Sequence, residues 1–279
     1  MNLIDILKMR GFDITAKTKI MRHQDKRFDL EMLFRKNRID AYQSIQSQDV
    51  LNCEYAIAFI GRDGTKGCFA GIWKVVKRLD APAPQYTKDF PYPHIFDEHG
   101  DIHYLFERVP GFDDLIGRLV IEWGAATRAW HQWLSGKEVI EILPEGQGRP
   151  FAGFLDFVLS FDELDQIICY PEANRVWHQM LSSVAGVYLI TDNMTGQLYV
   201  GSAYGKDGVL GRWKSYVATG HGGNKALKAL LAENVDRKEA FSFTILRTLP
   251  RTLTQKEVIA KEQLYKQKLG SRAHGLNLN

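Results

Sequence analysis

Two tyrosines, an arginine and a glutamate in the last third of the chain are the residues whose types and spacing can do chemistry. Residues 186–188 read Gly-Val-Tyr, ten residues follow, and residues 199–201 read Tyr-Val-Gly. Arg212 and Tyr216 come next, four apart, and Glu262 sits in a later helical stretch. A phenol keeps its proton to about pH 10. Tyr188 and Tyr199 therefore become acid–base groups only beside a cation or a metal-bound water. The Arg212 guanidinium can neutralise charge that builds on a phosphate. One carboxylate is enough for a hard cation such as Mg2+, which completes its shell with water and phosphate oxygens. Together these residue types read as metal-dependent cleavage of a phosphodiester bond.

Each residue alone has a plainer reading. Strand tyrosines usually pack in a core, and a helix arginine is usually solvated. Lys266 lies one turn beyond Glu262 in the favourable order, so the two make an ordinary surface ion pair. The ordered set, rather than any member, points to a site.

The elements that must position these groups follow from local pattern. AGVYLIT and QLYVGSA are β-branched and aromatic, and Asp192-Asn193-Met194-Thr195-Gly196 between them supplies turn residues, which predicts a hairpin. In GVLGRWKSYVATG, Val209, Leu210, Trp213 and Val217 form an apolar helical stripe, with Arg212 and Tyr216 on one face. Asn224 caps a second helix, NKALKALLAENV, and FSFTILRTL (241–249) alternates as a third strand. Thr254 opens the last helix and Gly270 closes it. There Val258, Glu262, Tyr265 and Leu269 are expected on one face, with an acid inside an apolar stripe that needs a compensating partner.

Residues 185–279 resemble the GIY-YIG nuclease family, with Val187 and Val200 in place of the two isoleucines of the motif name. The resemblance implies that Tyr188 activates the attacking water and that Tyr199 places the water or the scissile phosphate. Arg212 would neutralise the phosphate, Tyr216 would stand where relatives carry a His or Tyr proton carrier, and Glu262 would be the sole metal ligand. Asn277, with Asn279 as the alternative, would be the terminal asparagine that ties down the site. One Mg2+ or Mn2+ per site is implied, so a double-strand cut needs a homo-oligomer or sequential nicks. Ser202 stands where the excision-repair branch of the family usually carries Lys, which disfavours a repair nuclease.

Charge agrees with a polyanionic partner. The net charge of +3 divides into +7 for residues 179–279 and −4 for residues 1–178, while residues 1–38 hold 10 bases against 5 acids. Basic ends around an acidic middle suit contact with nucleic acid, although solvated faces give the same sums. Lys17, Lys19, Arg22, Lys26, Arg27, Lys214 and Lys225 are the candidate phosphate contacts. Cys53, Cys68 and Cys169 are too scattered for a disulfide framework or a zinc site. No apolar run reaches membrane-spanning length, and the N-terminus lacks a secretory pattern, so a cytoplasmic location is expected.

Residues 1–178 are less legible. A short first helix ending at Gly11, a helix from about Asp29 to Gln46 and several strand-like apolar runs predict a basic helical arm (1–50) and a β-rich part (51–178). Residues 80–101, with four prolines, read as a long loop. CFAGIWKVV, IHYLFERV and RLVIEWG weakly resemble PUA-like or EVE-like barrels, which implies a module that seats a nucleobase in an aromatic pocket. Trp73, Trp123, Trp130 and Trp133 are the aromatics to follow. Trp130 and Trp133, three apart, are placed to face one pocket, and core packing is the plainer reading for each.

The expected protein is α+β: a mostly-β, barrel-like recognition domain (1–178) with flanking helices, and a nuclease domain (179–279) with a small antiparallel sheet flanked by helices. The expected activity is that of a restriction-type or modification-dependent endonuclease acting on double-stranded DNA. The rival readings are a catalytically silent nucleic-acid-binding protein and a damage-specific repair nuclease.

Overall fold

Asn2 opens the first helix, α1 (Leu3–Met9), through a capping box with Asp5, and Gly11 at φ 78° lets the chain turn away after it. The computed structural model describes residues 1–97, 102–125 and 129–278, and the chain divides into two units, Met1–Leu143 and Pro144–Asn279. The sequence boundary at 178/179 differs from this division. Residues 144–178, expected in the first domain, belong to the second unit, where Phe157, Leu159, Phe161, Leu164, Ile167 and Trp177 lie in the core.

In the first unit eight strands form one sheet: β1 (Thr18–His23), β2 (Ile45–Gln46), β3 (Tyr55–Gly61), β4 (Lys66–Leu79), β5 (Ile102–Arg108), β6 (Leu119–Glu122), β7 (His131–Trp133) and β8 (Val139–Ile142). The order is β2-β5-β4-β3-β1-β7, with β6 pairing β4 and β8 pairing β6. β1 and β3 run parallel, from Thr18 opposite Tyr55 to His23 opposite Ile60. Among the described residues β2 and β7 do not pair, so the sheet curls as a half-barrel and does not close.

Both faces of this sheet are covered, which explains strands with apolar residues on both parities. Ile20, Ile57, Phe59, Phe69 and Ile72 pack with Leu3, Ile6 and Leu7 of α1 and with Trp123. Met21, Ala56, Ala58, Ile60 and Trp73 pack on the other side with Leu30, Leu33 and Ile39. The single helix expected over 29–46 is two short ones, α2 (Leu30–Arg35) and α3 (Ile39–Gln43), because Asn37 adopts φ 52° between them. The proline-rich segment holds a short helix, α4 (Pro84–Thr87), and a single tight turn (Pro93–Phe96). Its residues 98–101 lie outside the described residues.

The second unit is a four-stranded antiparallel sheet of β9 (Leu159–Ser160), β10 (Ala185–Asp192), β11 (Gln197–Ala203) and β12 (Phe241–Leu249), ordered β11-β10-β12-β9. Its helices are α5 (Phe161–Cys169), α6 (Arg175–Ser183), α7 (Gly208–Thr219), α8 (Lys225–Glu233) and α9 (Gln255–Leu269). The β10–β11 turn is fastened by buried Asp192, whose carboxylate accepts from the Met194 amide (3.0 Å), the Thr195 hydroxyl (2.7 Å) and the Arg237 guanidinium (2.5 Å). Asn224 accepts from the Leu227 amide at the start of α8, and Thr254 forms a capping box with Glu257 at the start of α9.

The period-2 alternation of the strands sends the two layers of helices to opposite faces. Tyr188, Ile190, Tyr199 and Ala203 meet Leu210, Trp213 and Tyr216 of α7. Val187, Val200 and Ala185 meet Val258 of α9. Because β11 is the edge strand, side chains from α7 and α9 can approach each other only around that edge.

Candidate active site

The register of the hairpin puts both tyrosines on the α7 face. Tyr188 pairs with Gly201 and Ile190 with Tyr199, so Tyr188 and Tyr199 are diagonal neighbours. Tyr188 is 0% exposed. Its hydroxyl lies 3.0 Å from the Tyr216 hydroxyl and accepts from Arg212 Nε at 3.1 Å. Arg212 also donates from Nη2 to the Tyr216 hydroxyl (3.3 Å) and from Nη1 to the Gly222 carbonyl (2.8 Å). The guanidinium sits 5.0 Å from the Tyr216 ring centroid, a cation–π contact.

Burial dominates the electrostatics of this cluster. It pushes the Tyr188 phenol above its ordinary value, with Tyr199 adding to the rise and Arg212 opposing it. Tyr216 is raised for the same reason, burial first and the neighbouring phenols second. For Arg212 burial works against the charge, yet the Tyr188 and Tyr216 oxygens more than reverse it and the guanidinium is held more firmly protonated than usual. A fixed cation surrounded by neutral phenols is the resulting state.

Across the edge of β11, Glu262 on α9 is gripped on both oxygens. Oε1 lies 2.7 Å from Lys266 Nζ, and Oε2 accepts a hydrogen bond from Ser202. The Glu262 side chain is 15% exposed, but that of Lys266 is only 2%. The pair that helical spacing marks as a surface ion pair is present and buried. The buried line of α9 is therefore Val258 and Lys266, with Glu262 between them, and Leu269, expected on the same face, is exposed.

Tyr199, Ser202, Arg212 and Glu262 line one cavity of about 690 Å³ at this edge, with Lys206 and Asp207 also on its wall. Tyr188 and Tyr216 do not reach the wall; they stand behind Arg212. Tyr188, expected to activate the attacking water, is buried and meets the cavity through the Arg212 guanidinium. Asn277 is buried against the open edge of β11. Its Oδ1 accepts from the Val200 amide (2.9 Å) and its Nδ2 donates to the Val200 carbonyl (2.8 Å), which ties the tail to the edge strand. The alternative, Asn279, lies outside the described residues.

Among the described residues no three His, Cys, Asp or Glu side chains gather as a metal cluster. The donor set of the cavity still fits one hard cation, since the Glu262 carboxylate, with Asp207 also on the wall, faces open space large enough for water and a phosphate.

With this geometry in place, comparison with solved structures gives two matches. One is the catalytic domain of the homing endonuclease I-TevI and the other is the same domain as a point mutant. Each is 22% identical with a TM-score of 0.28, covers 34% of this chain, and is itself covered to 98% and 94% respectively. At that TM-score the overlay carries no argument. No protein-family model matches the chain. No curated protein sequence matches it.

The first unit has a cavity of its own, about 500 Å³, with Tyr42, Phe28, Trp130 and His23 among its walls and Lys26 and Arg27 at its border. His23 Nε2 donates to Gln43 Oε1 at 3.3 Å, and the ring lies edge-on to Tyr42. Burial pushes His23 down to about 4, so the ring is neutral near pH 7.

The candidate phosphate contacts separate into two groups. Lys17, Lys26, Arg27, Lys214 and Lys225 are exposed, with Arg27 paired to Asp25 at 2.8 Å. Lys19 and Arg22 are buried and structural. Lys19 donates to the Val50 carbonyl (2.6 Å) and lies over the Trp133 ring, and Arg22 donates to the carbonyls of Lys66, Arg62 and Gly64 at 2.9–3.0 Å. Trp130 and Trp133 do not share a pocket. Residues 131–133 are a strand, so helical spacing does not apply; Trp130 faces the cavity and Trp133 is 52% exposed.

Sequence reading marks the Glu262–Lys266 pair but misses its burial and the hydrogen bond from Ser202 to Glu262. A signal for Lys266 existed in its position four residues after Glu262, but nothing local marks it for burial.

Proposed function

We propose that this chain is a divalent-metal-dependent DNA endonuclease of GIY-YIG type, with restriction-type or modification-dependent specificity. The observation that carries the reading is the meeting of Tyr199, Arg212 and Glu262 on the wall of one cavity at the β11 edge. Glu262 would hold the ion, which supplies Lewis-acid charge and a more acidic bound water. Arg212, already protonated and fixed by two phenols, meets a phosphate oxygen and stabilises the negative charge that grows as the bond breaks. Tyr199 presents its hydroxyl to the same space and orients the water. Tyr188 and Tyr216 are positioning residues that act through Arg212. The aromatic cavity of the first unit, bordered by Lys26 and Arg27, is suited to stack a splayed base while cations take the flanking phosphates.

Incubation of the protein with plasmid and Mg2+ or Mn2+, beside a Glu262→Ala control, tests the activity. Cleavage by the wild type alone supports it. Cleavage by both proteins, or by neither across varied DNA sources, rejects it. Digestion of matched modified and unmodified genomic DNA then decides the specificity, since indifference to modification removes the base-reading role.

A catalytically silent nucleic-acid-binding protein is the second reading. It is favoured by the engagement of both Glu262 oxygens and by the burial of Tyr188. DNA binding without cleavage under any divalent ion is its expected signature.

A further inference from the structure

Lys266 places a buried ammonium against the Glu262 carboxylate of the cavity. Its Nζ is 2.7 Å from Glu262 Oε1, and Ser202 from β11 holds the other oxygen. Burying an ammonium is unfavourable unless it is paired, so this contact is imposed by the packing of α9 on the sheet and is unlike a loose surface ion pair. A carboxylate has about four lone-pair directions. Two are engaged here, which leaves room for a cation without expelling either partner. Charge is the obstacle. Glu262 and Asp207 face Lys206 and Arg212 on the cavity wall, and Lys266 stands directly behind the carboxylate. A dication arriving alone therefore meets a site with no surplus of negative charge. A phosphodiester arriving beside it supplies that charge.

We propose that Lys266 is an internal counterion that holds Glu262 in the cation-free cavity and weakens divalent-metal binding there, so that metal is taken up together with the phosphodiester. The proposal rests on the reading of Glu262 as the metal ligand. By linkage the coupling is reciprocal: bound metal tightens the phosphodiester by the same factor.

The test is Mn2+ binding to the full chain, read by the electron paramagnetic resonance signal of free Mn2+. Wild type, Lys266→Met, Lys266→Arg and Glu262→Gln are compared without DNA, with circular dichroism as the check on folding. Removing one like charge a few ångströms from the ion is expected to tighten Mn2+ about tenfold or more in Lys266→Met. Lys266→Arg should stay near wild type, and Glu262→Gln should lose the site. Should Lys266→Met not fold, the wild type serves alone: a short phosphorothioate duplex should raise the Glu262-dependent Mn2+ affinity about tenfold or more. Unchanged or weaker Mn2+ binding in folded Lys266→Met, or no gain with duplex, overturns the proposal while leaving the metal site intact. Absence of Glu262-dependent Mn2+ binding in every protein overturns the nuclease reading as well.

Discussion

The ring of Tyr188 lies across Gly201, its partner in the β10–β11 register, so closely that a Cβ on residue 201 would overlap the phenol. The glycine of the second tripeptide is thus space for the tyrosine of the first. Gly222 has the same relationship to Tyr216: at φ +54° its backbone passes where a Cβ would come 2.6 Å from the ring, and its carbonyl accepts from Arg212. Absent side chains at two positions shape the pocket that holds the guanidinium.

Gly201→Ala is therefore expected to displace the Tyr188 phenol and, through it, Arg212. Overpacking of this kind destabilises by about 1–3 kcal/mol. Plasmid nicking should fall by about 100-fold or more, since misplacement of a charge-stabilising donor has that scale. Nicking assays with urea unfolding of the same protein check both. A well-folded Gly201→Ala protein with wild-type nicking would contradict the account of the motif.

The two motif tyrosines should separate by phenotype. Tyr188→Phe leaves Arg212 Nε and the Tyr216 hydroxyl short of a partner inside the protein, so a loss of about 1–3 kcal/mol in stability is expected along with reduced nicking. Tyr199→Phe removes a hydroxyl at the cavity wall. It should slow nicking by about 10²–10⁴ with stability within about 0.5 kcal/mol of wild type. Equal stability losses in the two variants would refute the distinction between a positioning and a cavity-facing phenol.

Asn277 clasps the Val200 peptide group through both of its amide atoms. Asn277→Ala leaves a buried amide and a buried carbonyl unpaired, which costs about 2–4 kcal/mol. Asn277→Asp should be worse above the carboxyl pKa, because an anion then faces the Val200 carbonyl. Chemical denaturation of the two variants, followed by tryptophan emission, gives the order.

The first unit should weaken in mild acid because of His23. Its folded value of about 4 lies below the ordinary 6.5, so the unfolded chain binds the proton more readily. The contribution to stability is complete above pH 6.5 and is lost as pH falls from 6.5 to 4, by on the order of 3 kcal/mol. Hydrogen exchange of β1 peptides at pH 7.5 and 4.5 reads the effect. His23→Phe should abolish that difference, and its persistence in the variant would assign the acid sensitivity to another group.

Much of the second unit is written locally in the chain. The Asp192–Gly196 turn, the caps at Asn224 and Thr254 and the glycine stop at residue 270 are short-range signals, and each marks the end of an element that forms. The pairing of Arg212 with Tyr216 is equally local, being one helical turn. By contrast, the strand that begins after Trp130 and ends on Trp133 has three residues and no periodicity to read. The break at Asn37 depends on one residue adopting a left-handed backbone that asparagine tolerates but does not announce.

Sequence alone therefore determined which groups could meet: the phenols, the guanidinium and the carboxylate, and the elements that carry them. Tertiary structure decided which of them face open space. Residues 144–178 complete the core beneath Tyr188 and Trp213, α9 takes Lys266 into the interior with Glu262, and Lys19 and Arg22 donate to carbonyls of segments distant in the chain. Burial and partner choice are sums over segments far apart in the chain, and no local pattern of residues contains them.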